Sequence, residues 1–241
     1  MISSDALSLA SRRQQTTELN VAREYCQHLF LGAFYREGGS EKVMFKGGTA
    51  LRIVYGSPRF SEDLDFSGFQ TSIRRIEDLV TAAAGEMERN AIPVSIGESK
   101  STSGGYLAVI ASPIRDLPVQ IQVQVSLRRQ AEMTGEGVLI TPDLLPAYTL
   151  TQLPERLLVE EKLGALRTRR KPRDYYDLYF MLRKGLIPTD MIGPLREAKE
   201  QLAGSRIDFG QALGPFLPRS QATIVKDLRK TLLEELARHG I

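Results

Sequence analysis

Two aspartates separated by one residue, Asp63 and Asp65, are the side chains of this 241-residue chain best suited to metal chemistry. They alternate with Leu64 and Phe66 in "SEDLDF", which predicts a strand with carboxylates on one face and apolar side chains on the core face. Two carboxylates on one face repel each other unless a cation lies between them. Oxygen ligands suit Mg²⁺, which phosphoryl-transfer sites hold through one or two carboxylates and substrate phosphates. The alternative is a polar strand end with two solvated acids.

A phosphate-binding turn is predicted shortly before this pair, in "FKGGTALR". Gly47 and Gly48 let the backbone approach a phosphate closely. Thr49 is expected to be the N-cap of a helix whose first free N–H groups point at an anion, and Lys46 and Arg52 add positive charge. The alternative is an ordinary tight turn with a threonine cap. A phosphate turn followed by a carboxylate pair is what a nucleoside triphosphate with its metal needs.

A second group of charged residues lies in "EEKLGALRTRRKPRDYYDLYFML". Pro172 indicates a new helix, and Asp174 suits its first turn. Asp177 lies about one turn further along among apolar and aromatic residues, so it needs a partner, which Lys162 or a basic neighbour can supply. The basic run before Asp174 is either a solvated turn or a surface for a triphosphate or an RNA backbone. This run comprises Arg167, Arg169, Arg170, Lys171 and Arg173.

The elements that must position these residues form an α+β region followed by helices. Apolar periodicity predicts helices at 17–35, 49–55, 73–90, 155–168, 173–184, 189–203 and 221–239. Strands are predicted at 43–45, 64–66, 94–96, 106–111 and 119–127, and prolines 142, 146 and 154 indicate a connector. We therefore predict a catalytic lobe over residues 1–150, with a mixed sheet flanked by helices, and a helical lobe over residues 151–241.

Composition narrows the possible chemistry. Cys26 is the only cysteine, which excludes an internal disulfide and a cysteine-rich zinc site. His28 and His239 are the only histidines, so metal or acid–base work falls to carboxylates. The N-terminus lacks the apolar region of a signal peptide, and no apolar run approaches the roughly 20 residues of a membrane helix. We expect a soluble, cytoplasmic protein without a membrane partner.

Together the blocks "FKGGTALR", "RFSEDLDF" and "EEKLGALRTRRKPRDYYDLYFML" resemble the nucleotidyltransferase superfamily and, within it, the AbiEii/AbiGii toxin family, which includes the MenT toxins of mycobacteria. The resemblance extends from Phe45 to Leu182. It implies a nucleotidyltransferase-like fold and a toxin of a toxin–antitoxin pair, with Mg²⁺ or Mn²⁺ as metal and an NTP as substrate. Several members modify the 3′ end of tRNA, so RNA, and tRNA in particular, is the expected acceptor. An antitoxin encoded alongside is the expected protein partner.

The resemblance also assigns roles to matching positions. It implies that Asp63 and Asp65 hold the metal and act in catalysis, and that Lys162 and Asp177 complete the catalytic site. The basic run from Arg167 to Arg173 is the candidate RNA-binding segment. The candidate nucleotide-binding residues are Lys46, Gly47, Gly48, Thr49, Arg52 and Ser61.

One position departs from the family pattern. Relatives often carry a third acid in the strand that matches "VQIQVQVSL", where this chain has glutamines, and Gln124 is the expected equivalent. A glutamine cannot act as a general base and holds a metal less strongly. Asp177 then takes the role of base, or activation of the attacking hydroxyl rests on metal and geometry, or the chain is slower or altered.

Three functions remain open at this stage. The first is nucleotidyl transfer from an NTP to RNA, which the intact Gly-Gly-Thr and Asp-x-Asp motifs favour. The second is a binding module that has lost its chemistry, which the glutamines favour. The third is transfer to a small molecule of the aminoglycoside type, against which the arginine-rich segment counts.

Overall fold

The computed structural model describes residues 2–128, 133–193, 195–204 and 207–241. Contacts divide the chain into two compact units. The first comprises Met1–Gly56 and Phe60–Leu153, and the second comprises Ser57–Arg59 and Pro154–Ile241. The short segment Ser57–Arg59 thus belongs to the second unit although it lies inside the predicted lobe 1–150. The functional assignment of the two predicted lobes stays a prediction.

A mixed sheet of seven strands forms the centre of the first unit, as far as the chain is described. In chain order the strands are β1 Val43–Lys46, β2 Asp63–Phe69, β3 Ser95–Thr102, β4 Gly105–Ala111, β5 Gln120–Arg128, β6 Glu136–Ile140 and β7 Tyr148–Gln152. Their order across the sheet is β3-β4-β5-β2-β1-β7-β6. The central strand β2 runs antiparallel to β1 and parallel to β5.

The helices of the first unit are α1 Ser4–Arg13, α2 Glu18–Phe34, α3 Gly47–Ile53 and α4 Ile73–Arg89. Helix α2 begins where predicted, because the Thr17 hydroxyl accepts a hydrogen bond from the N–H of Asn20 (3.2 Å). The ring of Phe34 on α2 stacks on that of Phe66 on β2, with 5.4 Å between centroids. Helix α2 therefore covers the face of the sheet that carries the apolar residues of β2.

Every regular element that the structure describes in the second unit is a helix, as predicted for the C-terminal half. Its α-helices are α5 Glu155–Arg169, α6 Pro172–Lys184, α7 Leu195–Ala203, α8 Phe209–Leu213, α9 Ala222–Lys226 and α10 Leu228–Arg238. Arg170, in a left-handed conformation with φ of 51°, ends α5, and Pro172 opens α6. In the described part of the chain, no helix combines the length and apolar character that crossing a membrane requires.

Several element predictions need correction. The predicted connector contains β6 and β7, and β7 pairs in parallel with β1 through Phe45 and Gln152. A pairing so distant in sequence leaves no local periodicity to detect. Helix α1 was not predicted. The single helix expected at 221–239 is two helices, because Asp227, with φ of −106° and ψ of 19°, leaves the helical conformation between them. At 189–203 a short 3₁₀ turn, Thr189–Met191, precedes α7.

Candidate active site

The carboxylate pair opens β2 on the face opposite α2. Asp63 and Asp65 are half-buried, whereas Leu64 and Phe66 are fully buried, as the alternation of the sequence predicted. Neighbouring strands add polar residues to the same face, because residues in register share a face. Lys46 of β1 lies opposite Asp65, and Gln124 of β5 lies opposite Asp65 from the other side.

Gly47 brings the turn after β1 directly against this pair. Its φ is +87°, a backbone conformation that residues other than glycine rarely adopt. A Cβ atom at this position would lie 2.8 Å from Asp65 Cβ and closer still to its Oδ2. Only glycine therefore lets the backbone of the turn lie against the Asp65 carboxylate.

Thr49 links the turn to the start of β2. Its side chain is 1% exposed, and its hydroxyl donates a hydrogen bond to the main-chain carbonyl of Asp63. The prediction that Thr49 caps the helix is wrong, because α3 already begins at Gly47 and its N-cap is Lys46. The threonine instead ties the first turn of α3 to the strand that carries both aspartates.

Two other candidate nucleotide-binding residues, Arg52 and Ser61, form contacts with side chains of α2. Arg52 forms a bidentate ion pair with Glu24, with Nε–Oε1 and Nη2–Oε2 distances of 2.8 and 2.9 Å. Its guanidinium also lies 3.5 Å from the centroid of the Phe60 ring. The carbonyl of Ser61 accepts a hydrogen bond from Gln27 Nε2 (2.9 Å). Arg52 thus holds α3 to α2, and the nucleotide-binding role of Arg52 and Ser61 stays a prediction.

The donors around Asp63 and Asp65 fit a hard divalent cation. They are carboxylate oxygens on one face of a strand, and the side-chain-free Gly47 leaves the backbone next to one of them. Within the described residues no cluster of three or more His, Cys, Asp or Glu could hold a metal ion. Two protein carboxylates can suffice for Mg²⁺, because this ion takes its remaining ligands from water and from substrate phosphates.

A buried ionic cluster lies in the second unit. Asp177 is 1% exposed and accepts hydrogen bonds from Arg59 Nε (2.8 Å) and Nη2 (3.0 Å) and from Lys162 Nζ (2.7 Å). Burial alone would raise the pKa of Asp177, but the charges and hydrogen bonds of Arg59 and Lys162 hold it well below its usual range. The contacts with two cations favour the charged carboxylate form of Asp177. The predicted pairing of Lys162 with Asp177 is confirmed.

Sequence reasoning missed Arg59. This residue is 4% exposed. Burial lowers the pKa of its guanidinium, but the charge of Asp177 and the hydrogen bonds to it, together with the charges of Asp174 and Tyr176, raise that pKa overall. Arg59 stands in the block "RFSEDLDF", four residues before Asp63, so the motif contained it. Nothing local revealed its partner, which lies 118 residues further along the chain.

The basic run divides into structural and exposed members. Arg169 donates hydrogen bonds to both oxygens of the buried Asp174, at 2.8 to 3.2 Å, and the N–H of Lys171 donates to Asp174 Oδ2 (3.0 Å). Asp174 is therefore the helix-start acid that the sequence predicted. Arg167 pairs with Glu197 at 3.3 Å, Arg170 and Lys171 are exposed, and Arg173 is half-buried.

Comparison with known proteins agrees with this arrangement. A family described as nucleotidyl transferase AbiEii toxin, type IV toxin–antitoxin system, matches residues 29–239. JHP933 from Helicobacter pylori is similar in structure, with a TM-score of 0.60 and 18% identity over 93% of this chain and 96% of that one. MenT4, a nucleotidyltransferase toxin from Mycobacterium tuberculosis, has a TM-score of 0.64 and 16% identity over 97% of this chain and 89% of its own. The comparison with curated proteins gave no match.

These matches confirm the predicted fold class. The family generally uses an NTP and a divalent metal, and its place in a toxin–antitoxin system implies an antitoxin as partner. The Gly-Gly-Thr turn beside the carboxylate pair agrees with the family match, which covers residues 29–239. The chain belongs to the AbiEii nucleotidyl transferase toxin family and is a nucleotidyltransferase of a type IV toxin–antitoxin system.

Proposed function

We propose that this protein transfers a nucleoside monophosphate from an NTP to the 3′ hydroxyl of an RNA, specifically a tRNA, with Mg²⁺ held by Asp63 and Asp65. The hydroxyl oxygen bonds to the α-phosphorus, the bond between the α- and β-phosphates breaks, and pyrophosphate leaves. The observation that carries the proposal is the contact of the Gly47 turn with Asp65, combined with the hydrogen bond from Thr49 to the Asp63 carbonyl. These two contacts hold the turn from Gly47 to Thr49 against the strand that carries both aspartates, which supports a phosphate site next to a metal site. Bound Mg²⁺ would neutralise phosphate charge and orient the phosphates for attack.

Backbone and side-chain groups of this chain are proposed to bind different parts of the triphosphate and its metal. The first N–H groups of α3, at Gly47 to Thr49, lack acceptors within the helix and suit phosphate oxygens. Lys46, 8% exposed and in register with Asp65, adds a positive charge to the same face. Gln124 lies beside Asp65 as a hydrogen-bonding side chain that cannot accept a proton at neutral pH.

Asp177 is better suited to positioning than to proton transfer. A carboxylate whose pKa is held well below its usual range binds a proton weakly, which makes it a poor general base near pH 7. Its three hydrogen bonds fix the ammonium of Lys162 and the guanidinium of Arg59 instead. We therefore assign Asp177 to orienting Lys162, the residue that the family resemblance places in the same reaction.

RNA is proposed as acceptor because of the exposed positive charge next to this cluster in sequence. Arg170 and Lys171 lie in the turn between α5 and α6, where their charges are open to a phosphate backbone. The family resemblance adds the tRNA 3′ end as the expected acceptor. A small acceptor such as an aminoglycoside would not need this basic turn.

The decisive experiment replaces Asp65 by Asn. We expect the purified parent to incorporate label from one or two of the four NTPs into total tRNA, and EDTA or Asp65→Asn to abolish the labelling. Without metal, the melting temperature of the variant should equal or slightly exceed that of the parent, because the repulsion between two like charges is removed. Mg²⁺ with NTP should raise the melting temperature of the parent much more than that of the variant.

Asp78→Asn is the matched control, since Asp78 is exposed on α4. It should retain labelling and metal-dependent stabilisation. Full activity of Asp65→Asn would show that the pair is not the metal site. Label that enters an aminoglycoside but no RNA would favour the small-molecule function, and nucleotide binding without any labelled acceptor would favour a binding module.

A further inference from the structure

A polar cleft lies in the first unit, at the end of β2 remote from Asp63. Its volume is about 930 Å³. It is formed where β2 and β5 end, β4 begins and α4 begins, since its lining includes Gln70, Gly105 and Leu127. The seven residues of β2 span about 20 Å, so this cleft is distinct from the carboxylate pair.

Positive charge distinguishes the lining of this cleft. Lys42, Arg75 and Arg128 line it and are exposed, and no acidic side chain is among the lining residues that the structure describes. The Arg75 guanidinium donates a hydrogen bond to the main-chain carbonyl of Gly38, which holds it in place without neutralising its charge. Three cations in one open cleft favour a ligand that carries several negative charges.

The start of α4 points to the same kind of ligand. This 17-residue helix has no acid in its first turn, where Arg74 and Arg75 stand instead. Cations at the positive end of a helix are electrostatically unfavourable, and an anion bound there offsets the repulsion. Thr71 also lines the cleft, and its buried hydroxyl oxygen has no hydrogen-bond partner within the described residues. A polar atom left in this state gains from an added hydrogen-bonding group.

The lining favours a phosphate backbone over a free nucleotide. No aromatic side chain lines the cleft in the part of the chain that the structure describes, so a nucleobase would have no ring on which to stack. The end of β3 and the turn after it contribute small residues, Thr102 and Ser103 with Gly104, whose polar groups suit phosphate and sugar oxygens.

We propose that this cleft binds backbone phosphates of the RNA acceptor, as an anchoring surface separate from the site of transfer. The inference rests on the proposed function for the identity of the acceptor. RNA is long enough to contact both ends of β2 at once. The cleft would therefore contribute to affinity for the acceptor without touching the reacting atoms.

The test removes the three cleft charges together, in the variant Lys42→Gln/Arg75→Gln/Arg128→Gln. The probe is labelled total tRNA, and its affinity is measured between about 50 and 200 mM salt without metal. Because each lost phosphate contact lowers the slope of log affinity on log salt by about 0.7–0.9, we expect the slope to fall by about 2–3. KM for tRNA should rise at least several-fold, with kcat and the stabilisation by Mg²⁺ and NTP unchanged.

A matched control loses three charges elsewhere. Arg12, Lys184 and Lys230 are exposed and lie outside the cleft, so their joint replacement by Gln should leave the salt slope nearly unchanged. Equal slopes for the cleft variant and the parent would overturn the inference while leaving the proposed function intact, provided that the parent labels RNA. If the parent neither binds nor labels RNA, the proposed function itself fails.

A further arm separates the two sources of phosphate. ATP or inorganic phosphate at millimolar concentration, without metal, is added to the parent and to the cleft variant, and thermal unfolding is followed. We expect little stabilisation of either protein. Strong stabilisation of the parent alone by ATP, with unchanged tRNA binding in the variant, would identify a nucleotide site and overturn the inference.

Discussion

Gly47 meets two requirements at once, a left-handed backbone and a close approach to Asp65, and a pair of substitutions separates them. Gly56 has a similar φ of +78°, but in the described structure no atom beyond Gly56 itself and its two chain neighbours lies within 4 Å of the place where its Cβ would be. Gly56→Ala should therefore cost only the backbone strain, about 1–2 kcal/mol, and keep nucleotidyl transfer. Gly47→Ala adds the clash with Asp65, so we expect a greater loss of stability and loss of transfer.

Urea unfolding and tRNA labelling check this pair of variants. Both alanines adopt a similar left-handed backbone and so lose a similar free energy of unfolding to backbone strain. The difference in stability between the two variants therefore reports the clash with Asp65. If Gly47→Ala behaves like Gly56→Ala in both assays, the close contact has no role in the reaction.

At the residue scale, sequence reasoning worked where a local pattern carried the information. The alternation around Asp63 placed both carboxylates on one face, and the apolar surroundings of Asp177 required a partner such as Lys162. It failed where the deciding contact was remote. Thr49 bonds to Asp63 across the turn, and Arg59 bonds to a residue more than a hundred positions away.

At the scale of elements, the junction of α5 and α6 combines two kinds of arginine. Arg169 is bound to Asp174, whose side chain is fully buried, whereas Arg170 and Lys171 are exposed. Arg169→Gln should lower stability, because it leaves a buried carboxylate without its charged partner. Arg170→Gln/Lys171→Gln should leave stability within about 0.5 kcal/mol of the parent and weaken tRNA binding.

Salt dependence identifies the cause of that weakening. Two lost phosphate contacts should lower the slope of log affinity on log salt by about 1.4–1.8. An unchanged slope in Arg170→Gln/Lys171→Gln would mean that the run is a solvated turn, the alternative that the sequence left open. The single variant Arg169→Gln tests the structural role in the same binding and unfolding experiments.

Long amphipathic elements were predictable because their pattern of apolar residues is local in the sequence. Helix α4 and strands β4 and β5 carry their own periodicity, so their existence followed from sequence alone. Strands β6 and β7 each have five residues, and β7 owes its place to the pairing with β1. Propensity over five residues is too weak to outweigh the prolines around them.

At the scale of the whole molecule, the segment Ser57–Arg59 groups with helices that begin about a hundred residues later. Within this unit, Arg59 forms a bidentate ion pair with Asp177 on α6. A division of the chain by sequence position cannot anticipate such a segment. The ion pair that holds it is buried, so removing one partner should be costly.

The protonation of Asp177 makes this cost depend on pH in a definite direction. Its pKa is lowered in the folded protein, so its contribution to stability is fully present above the unfolded value of about 3.9 and is lost as the pH falls toward the folded value. Asp177→Asn leaves Arg59 and Lys162 buried without a counter-charge, and we expect a loss of about 3–5 kcal/mol at pH 7. Below about pH 4 the parent should lose stability steeply and the variant much less, so the stabilities of the two proteins should converge.

Asp190→Asn is the control, because it removes a carboxylate from an exposed pair with Arg156 and should change stability little at either pH. Urea unfolding at pH 7, 5, 4 and 3 measures all three proteins, and a constant gap between the parent and Asp177→Asn across this range would show that Asp177 is not held as a carboxylate by its two cations.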